Sequence, residues 1–277
     1  MAEYSLYHDI AKRTGGDIYL GVVGPVRTGK STFIKKFMEL MVIPNINEED
    51  RLRAVDELPQ SSGGKTITTT EPKFVPDEAV EVQFADQNFT MRVRLVDCVG
   101  YTVDSALGYL DERGERLVMS PWADEEIPFQ EAAEIGTKKV IADHSTLGII
   151  VTTDASFSEL AREDFEIPEA RIVDELKAIG KPFVIILNSS QPEASSTLQL
   201  QTELAEKYRA PVIPCNCLRL DRKSVDAILK EALYEFPVNQ INIILPDWGE
   251  ALAEDRYPEA EGRKDQGHEV TEEARRK

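Results

Sequence analysis

Cysteine, histidine and positive charge are all scarce in this chain, and each scarcity closes off a class of function. The three cysteines, Cys98, Cys215 and Cys217, are an odd number with no even framework, which points to a reduced, cytoplasmic setting and away from a disulfide-stapled secreted domain. Cys215-x-Cys217 looks like half a metal site, but His8, His144 and His268 are scattered and no second pair completes it. Two small residues near a buried strand end is the simpler reading. Lys and Arg number 32 against 50 Asp and Glu, a formal net charge of −18. A surface that acidic repels phosphate backbones and anionic lipid, so broad nucleic-acid binding is disfavoured, although a local basic pocket for a small phosphate ligand is not. Long apolar runs are missing too. The densest, Leu147–Val151, is far too short to span a bilayer, and the opening stretch MAEYSLYHDIAKRTGG has no apolar signal core. No transmembrane segment is expected, and any membrane association would come through a partner or a surface contact.

What is present is the raw material of a large α/β domain. The 277 residues are 42% hydrophobic and 30% charged, enough for a core and a solvated surface. Short apolar strands alternate with amphipathic stretches: DIYLGVVG, then KSTFIKKFMELMV stopped by Pro44, then EVQF and Phe89–Asp97 as a hairpin. LGIIVTTD, a helix over 168–179, PFVIILN, a helix over 198–208, APVIPCN and the helix SVDAILKEAL follow. Near-continuous apolar strands between helices predict a mostly parallel sheet with helices on both faces, the hairpin adding one antiparallel edge strand. Residues 50–70 and 101–129 interrupt the alternation as long polar segments. The expected organisation is one domain over residues 1–245 and an acidic, disordered tail over 246–277.

The chemistry concentrates at Gly24–Ser31, GPVRTGKS, a complete Gly-x-x-x-x-Gly-Lys-Ser loop between an apolar strand and an amphipathic helix. Gly24 and Gly29 allow the tight fold that turns backbone N–H groups onto phosphates, and the following helix offers its positive end. Lys30 is expected to bridge the β- and γ-phosphates, and the Ser31 hydroxyl to ligate Mg²⁺. Thr28 and Thr32 complete the expected lining, and Arg27 is either a phosphate or subunit contact or a solvated arginine. Asp97 ends an apolar strand three residues before Gly100, an Asp-x-x-Gly whose carboxylate can hold Mg²⁺ and whose glycine N–H can meet a γ-phosphate. With the antiparallel hairpin beside it, this favours a GTPase-like branch of the P-loop NTPases. GKTITTTEPKF, between the two motifs, offers Thr66, Thr68, Thr69 and Thr70 as candidates for a switch threonine reaching Mg²⁺.

Two positions depart from a conventional GTPase. Tyr101 stands where Ras-like enzymes place a water-orienting Gln. The strand Val184–Asn188 then leads into Ser189, Ser190 and Gln191 where guanine selectivity needs an Asn-Lys-x-Asp. Gln191 carries no charge for a bidentate contact to the base, so ATP is the expected nucleotide. Whether Asn188 or Gln191 meets adenine is open at this point.

The stretches IAKRTGGDIYLGVVGPVRTGKSTFIKKFMEL, DELPQSSGGKTITTTEPKFVP, RLVDCVGYTV, IPFQEAAEIGTKKVI, HSTLGIIVTTD, EALYEFPV and LPDW resemble the stage IV sporulation protein A family of spore-forming Firmicutes, over roughly residues 4–248. The resemblance implies a GTPase-like fold turned to ATP, in a cytosolic mother-cell protein. Its hydrolysis of ATP would drive its own polymerisation into the basement layer of the spore coat. It further implies a small amphipathic peptide holding the protein to the forespore membrane, and spore coat proteins as partners. By position, Lys30 and Ser31 would hold phosphates and Mg²⁺, Asp97 would be the Walker-B-like carboxylate, and Thr69 and Thr70 the pair that senses the γ-phosphate, with Thr70 joining Ser31 and Asp97 around the metal. The family continues into middle and C-terminal domains, where the peptide contact and much of the assembly interface are expected. Two other readings share the phosphate loop: a GTPase switch of the ribosome-associated type, and a structural protein that binds nucleotide without turnover.

Overall fold

A computed structural model describes residues 14–59, 72–84, 89–98, 100–103, 110–111, 114–115, 117–119 and 125–236. The chain divides into two units, Met1–Glu235 and Phe236–Lys277, and every element below belongs to the first. The tail expected from residue 246 lies outside the described residues.

The described chain runs β1 (Asp17–Val23), α1 (Lys30–Phe37), α2 (Glu48–Asp56), β2 (Lys73–Phe84) and β3 (Phe89–Asp97). Two short hairpins follow, β4 (Leu110–Asp111) with β5 (Gly114–Glu115) and β6 (Leu117–Val118) with β7 (Ile127–Pro128). Then come α3 (Phe129–His144), β8 (Leu147–Thr153), α4 (Glu166–Ile179), β9 (Phe183–Asn188), α5 (Ser195–Tyr208), β10 (Val212–Cys215) and α6 (Arg222–Tyr234). Six strands form one sheet in the order β10-β9-β8-β1-β3-β2. Every pairing is parallel except β2 with β3 at the edge. The expected α/β class, with its single antiparallel edge strand, is the observed one.

Burial explains the choice. All seven residues of β8 and all six of β9 are buried, as strands covered by helices must be. Val23, Val96, Ile150, Ile172, Val173, Ile185 and Leu187 meet in one fully buried cluster that joins the sheet to α4. Their apolar surface is what offsets the ordering of the strands, at about 25 cal/mol per Å² removed from water.

Four local expectations change. Residues 50–70 are not wholly irregular, because α2 opens with Asn47 accepting from the Asp50 N–H at 2.8 Å and carries Glu48, Glu49 and Asp50 in its first turn. That cap and those charges favour a helix N-terminus. Second, β2 starts at Lys73 rather than Glu81, with its register shifting between Val75 and Val80; Pro76 has no N–H to give the ladder, and a bulge accommodates it. Third, α3 is a 16-residue helix burying Phe129, Ala132, Ala133, Thr137 and Ile141 on one face. The helix of α1 is also shorter than its apolar periodicity, widening into a π turn over Met38–Val42 and a 3-10 turn over Ile43–Asn45 that contains Pro44.

Candidate functional site

Parallel strands deliver their loops to one edge, and the carboxyl ends of β1, β3, β8, β9 and β10 meet there, the usual place for a ligand in such sheets. β1 and β3 pair in register with Val22 opposite Asp97. That register brings the carboxylate beside the loop leaving β1, although the two are far apart in sequence. The loop closes at Gly29, which caps α1 with φ 100° and ψ 18°. A Cβ there would lie 2.3 Å from Asn188 Nδ2, so both the left-handed backbone and the space require glycine.

Lys30, the first residue of α1, is 7% exposed. Its ammonium donates to the carbonyls of Gly24 at 3.2 Å and Pro25 at 2.8 Å. Burial lowers its pKa to about 8, against the pull of Asp97 and Cys98. Ser31 Oγ donates to Asp97 Oδ2 at 2.6 Å. Burial raises the Asp97 carboxyl above its usual range, while Ser31, Lys30 and Lys73 act in the other direction. Gly100 closes the site from the β3 side: a Cβ would sit 2.6 Å from Lys30 Nζ and 2.8 Å from Val26 Cα. The predicted phosphate and magnesium residues Gly24, Gly29, Lys30, Ser31, Asp97 and Gly100 therefore converge. Thr28 is fully buried and donates to Pro25 O at 3.0 Å, holding the loop's shape. Arg27 is half-buried with φ 65°, and Thr32 is half-buried on α1. Thr66, Thr68, Thr69 and Thr70 lie outside the described residues.

Tyr101 has a role the sequence does not show. Its N–H donates to Gly24 O at 3.2 Å and its carbonyl accepts from Val26 N at 2.9 Å, zipping the segment after Gly100 onto the phosphate loop. The side chain is 2% exposed, and its hydroxyl donates to Glu175 on α4. Glu175 also pairs with Lys138 at 3.2 Å. The position of a water-orienting glutamine is thus an anchor turned into the core.

Asn188, at the end of β9, is 6% exposed and ties three segments together. Its Nδ2 donates to Thr28 O at 2.9 Å, and its Oδ1 accepts from Cys217 N at 3.0 Å. The next turn is held from below by Asp154, whose carboxylate accepts from Ser156 N at 3.0 Å and Thr197 Oγ1 at 3.1 Å. Burial opposes the Asp154 charge, but hydrogen bonds from Ser156, Ser189 and Thr197 outweigh it and hold the carboxyl below its usual range. Gln191 enters this turn through its backbone, its N–H donating to Ser189 Oγ at 3.0 Å and its carbonyl lying 3.2 Å from Thr197 Oγ1, which shares its one proton between that carbonyl and Asp154. Asn188→Ala would strand a buried carbonyl at Thr28 and a buried N–H at Cys217. We expect a loss of about 2–4 kcal/mol in unfolding free energy, read from the urea midpoint, with looser nucleotide binding.

Sequence comparisons place the chain in a family. A family model described as stage IV sporulation protein A, ATPase domain, matches residues 1–237. The chain belongs to that family. It is 54% identical over 258 residues to the stage IV sporulation protein A of Bacillus subtilis (strain 168), covering 93% of this chain and 52% of the relative. The Bacillus anthracis protein of that name is 55% identical over 258 residues, with the same 93% and 52% coverage. That of Clostridioides difficile (strain 630) is 51% identical over 254 residues, covering 91% of this chain and 52% of the relative. The chain thus spans about half the length of these curated relatives. Among the described residues, no helix is long and apolar enough to cross a membrane.

Proposed function

We propose that this chain binds and hydrolyses ATP with Mg²⁺, and that turnover drives its self-assembly into the basement layer of the spore coat. The observation that carries the catalytic half is the convergence of Lys30, Ser31 and Asp97 within a domain of this family. Oxygen donors suit the metal: Ser31 Oγ and Asp97 Oδ2 approach within 2.6 Å, and a hard cation held by one or two protein oxygens takes its remaining ligands from phosphates and water. When bound, Mg²⁺ supplies neutralisation of phosphate charge. The chain's own groups do the rest. Lys30 places a buried cation against the transferring phosphoryl group, and the backbone N–H groups leading into α1 orient the phosphates. Water then attacks the γ-phosphorus as the bond to the β-phosphate oxygen breaks, releasing ADP and phosphate.

Thr69 and Thr70 are the proposed sensors of the γ-phosphate, with Thr70 joining Ser31 and Asp97 around the metal. Assembly with copies of itself, docking to a small amphipathic membrane peptide and to coat proteins, and a place on the mother-cell face of the forespore are parts of the same proposal, supported by membership of the family.

The test is ATP and GTP hydrolysis measured side by side on the wild type and on the Thr69→Ala/Thr70→Ala double variant. The wild type should turn over ATP in preference to GTP. The double variant should hold ATP with unchanged affinity while releasing phosphate at least about 100-fold more slowly. Loss of binding and turnover together would remove the sensor role, and GTP displacing labelled ATP at much lower concentration would remove the ATP reading.

A further inference from the structure

Gly100 meets the phosphate loop beyond the point where the sheet holds the chain. The β1–β3 ladder ends with Val22 opposite Asp97, and one more bond joins Cys98 N to Val22 O at 3.2 Å. Past it the two segments touch again at an isolated bridge, Pro25 opposite Tyr101. Gly100 lies between these two attachments and, having no side chain, takes its position from its neighbours. The fit on the loop side is tight, since a Cβ at Gly100 would sit 2.8 Å from Val26 N.

Tyr101 is the neighbour on the far side. Its two backbone bonds to the loop are joined by a third from its side chain, the hydroxyl donating to Glu175 on α4. Lys138 of α3 holds Glu175 at 3.2 Å, and a second pair, Arg171 with Glu134 at 2.7 Å, joins the same two helices. Burial, and then the bond to Glu175, push the phenol pKa above its usual range, so the hydroxyl stays a donor. A phenylalanine would fill the same buried space. What tyrosine adds is a directed bond that fixes where residue 101, and with it Gly100, stands against the loop. Two residues on, Val103 is buried against Val26 and Phe165, which keeps this segment packed with or without the hydroxyl.

We infer that Tyr101 is a positioning residue for hydrolysis: its hydroxyl bond to Glu175 holds Gly100 in place against the phosphate loop, where the Gly100 N–H serves the γ-phosphate. The inference rests on the ATP-hydrolysing reading above. ADP has no γ-phosphate, so the bond matters to turnover and not to the holding of the diphosphate. An interaction needed only as the phosphoryl group transfers lowers kcat and leaves KM unchanged. A tyrosine that merely supported the loop's shape would weaken ADP binding and turnover together.

The experiment is steady-state ATP turnover in Mg²⁺, with ADP binding by calorimetry, on the wild type, Tyr101→Phe, Glu175→Ala, the double variant and Lys138→Ala. Tyr101→Phe should lower kcat about tenfold, the scale of a small misplacement of one group, with the KM for ATP and the ADP affinity within about twofold of the wild type. Glu175→Ala should match it, and the double variant should fall no further, because all three break the same bond. Lys138→Ala, which removes the half-exposed ion pair and keeps the buried bond, should turn over ATP like the wild type. Wild-type kcat in Tyr101→Phe overturns the inference, as do losses that add in the double variant or a Lys138→Ala loss as large as that of Tyr101→Phe. ADP affinity that falls in step with kcat also overturns it, by making the tyrosine structural. A wild type that turns over no ATP would instead remove the ATP-hydrolysing reading, and this inference with it.

Discussion

Lys30→Ala should abolish measurable ATP binding and lower hydrolysis by about 100- to 1,000-fold, the scale seen when one preorganised charge partner of a transition state is removed. The same substitution should leave the fold as stable as before, or more so. Lys30 is 7% exposed and its ammonium donates to the carbonyls of Gly24 and Pro25. Burial has already lowered its pKa to about 8, so the folded chain bears an electrostatic cost to keep this cation where it is. A residue kept for stability would show the reverse pattern. Phosphate release in a coupled assay, together with a urea unfolding curve for the same protein, makes the comparison. A Lys30→Ala protein that unfolds at markedly lower urea would turn the lysine into a structural residue and remove the argument for its role. Lys30→Met, which keeps the aliphatic stem and loses the charge, should reproduce the loss of activity.

The parts of this site that can be read from the sequence are those where one short motif carries the whole physical requirement. Gly24–Ser31 is such a case, because the loop must have glycine at a left-handed position such as Gly29 and a lysine at the helix start. Asp97 and Gly100 are another, since an acidic strand end and a position with no room for a Cβ leave few alternatives. The mostly parallel sheet with one antiparallel edge strand follows from the run of buried strands and one hairpin, whereas the strand order does not. What the sequence leaves open depends on contacts between distant segments. Asn188 can be seen to end a strand, but its use as a clasp between Thr28 and Cys217 needs β9, β10 and the phosphate loop placed together. Tyr101 reads as a missing glutamine, and only the position of Glu175 on α4 shows that it is an anchor. The helix α3 is obscured for a local reason: Gly136 lies in its middle and its buried face is built partly from Ala132, Ala133 and Thr137, which give a weak periodic signal. Cys217 is legible only as a small buried residue, because its contribution to that clasp is a backbone N–H that any residue would supply.

Asp97→Asn should separate metal binding from the shape of the site. The amide is isosteric with the carboxylate and its oxygen can still accept from Ser31 Oγ, a contact of 2.6 Å in the wild type. Packing at the end of β3 is therefore expected to survive, with the thermal midpoint within a few degrees of the wild type. The lost charge has two consequences. On the proposed reading Asp97 is an anionic ligand of the metal, so half-maximal ATPase activity should need about tenfold more Mg²⁺, and turnover at saturating Mg²⁺ should fall about 100-fold. Lys30 also loses the neighbour that most strongly favours its charged form against burial. Its cation becomes harder to keep in the absence of phosphate, so ATP binding measured without Mg²⁺ should weaken as well, though by less than in Lys30→Ala. The ordering of the two variants in the metal-free experiment decides between the two effects. If Asp97→Asn binds ATP normally without Mg²⁺ and fails only when the metal is required, the carboxylate acts through the metal alone. If both variants lose metal-free binding equally, the Asp97–Lys30 interaction governs the loop. Wild-type Mg²⁺ dependence retained in Asp97→Asn would remove Asp97 from the metal site altogether.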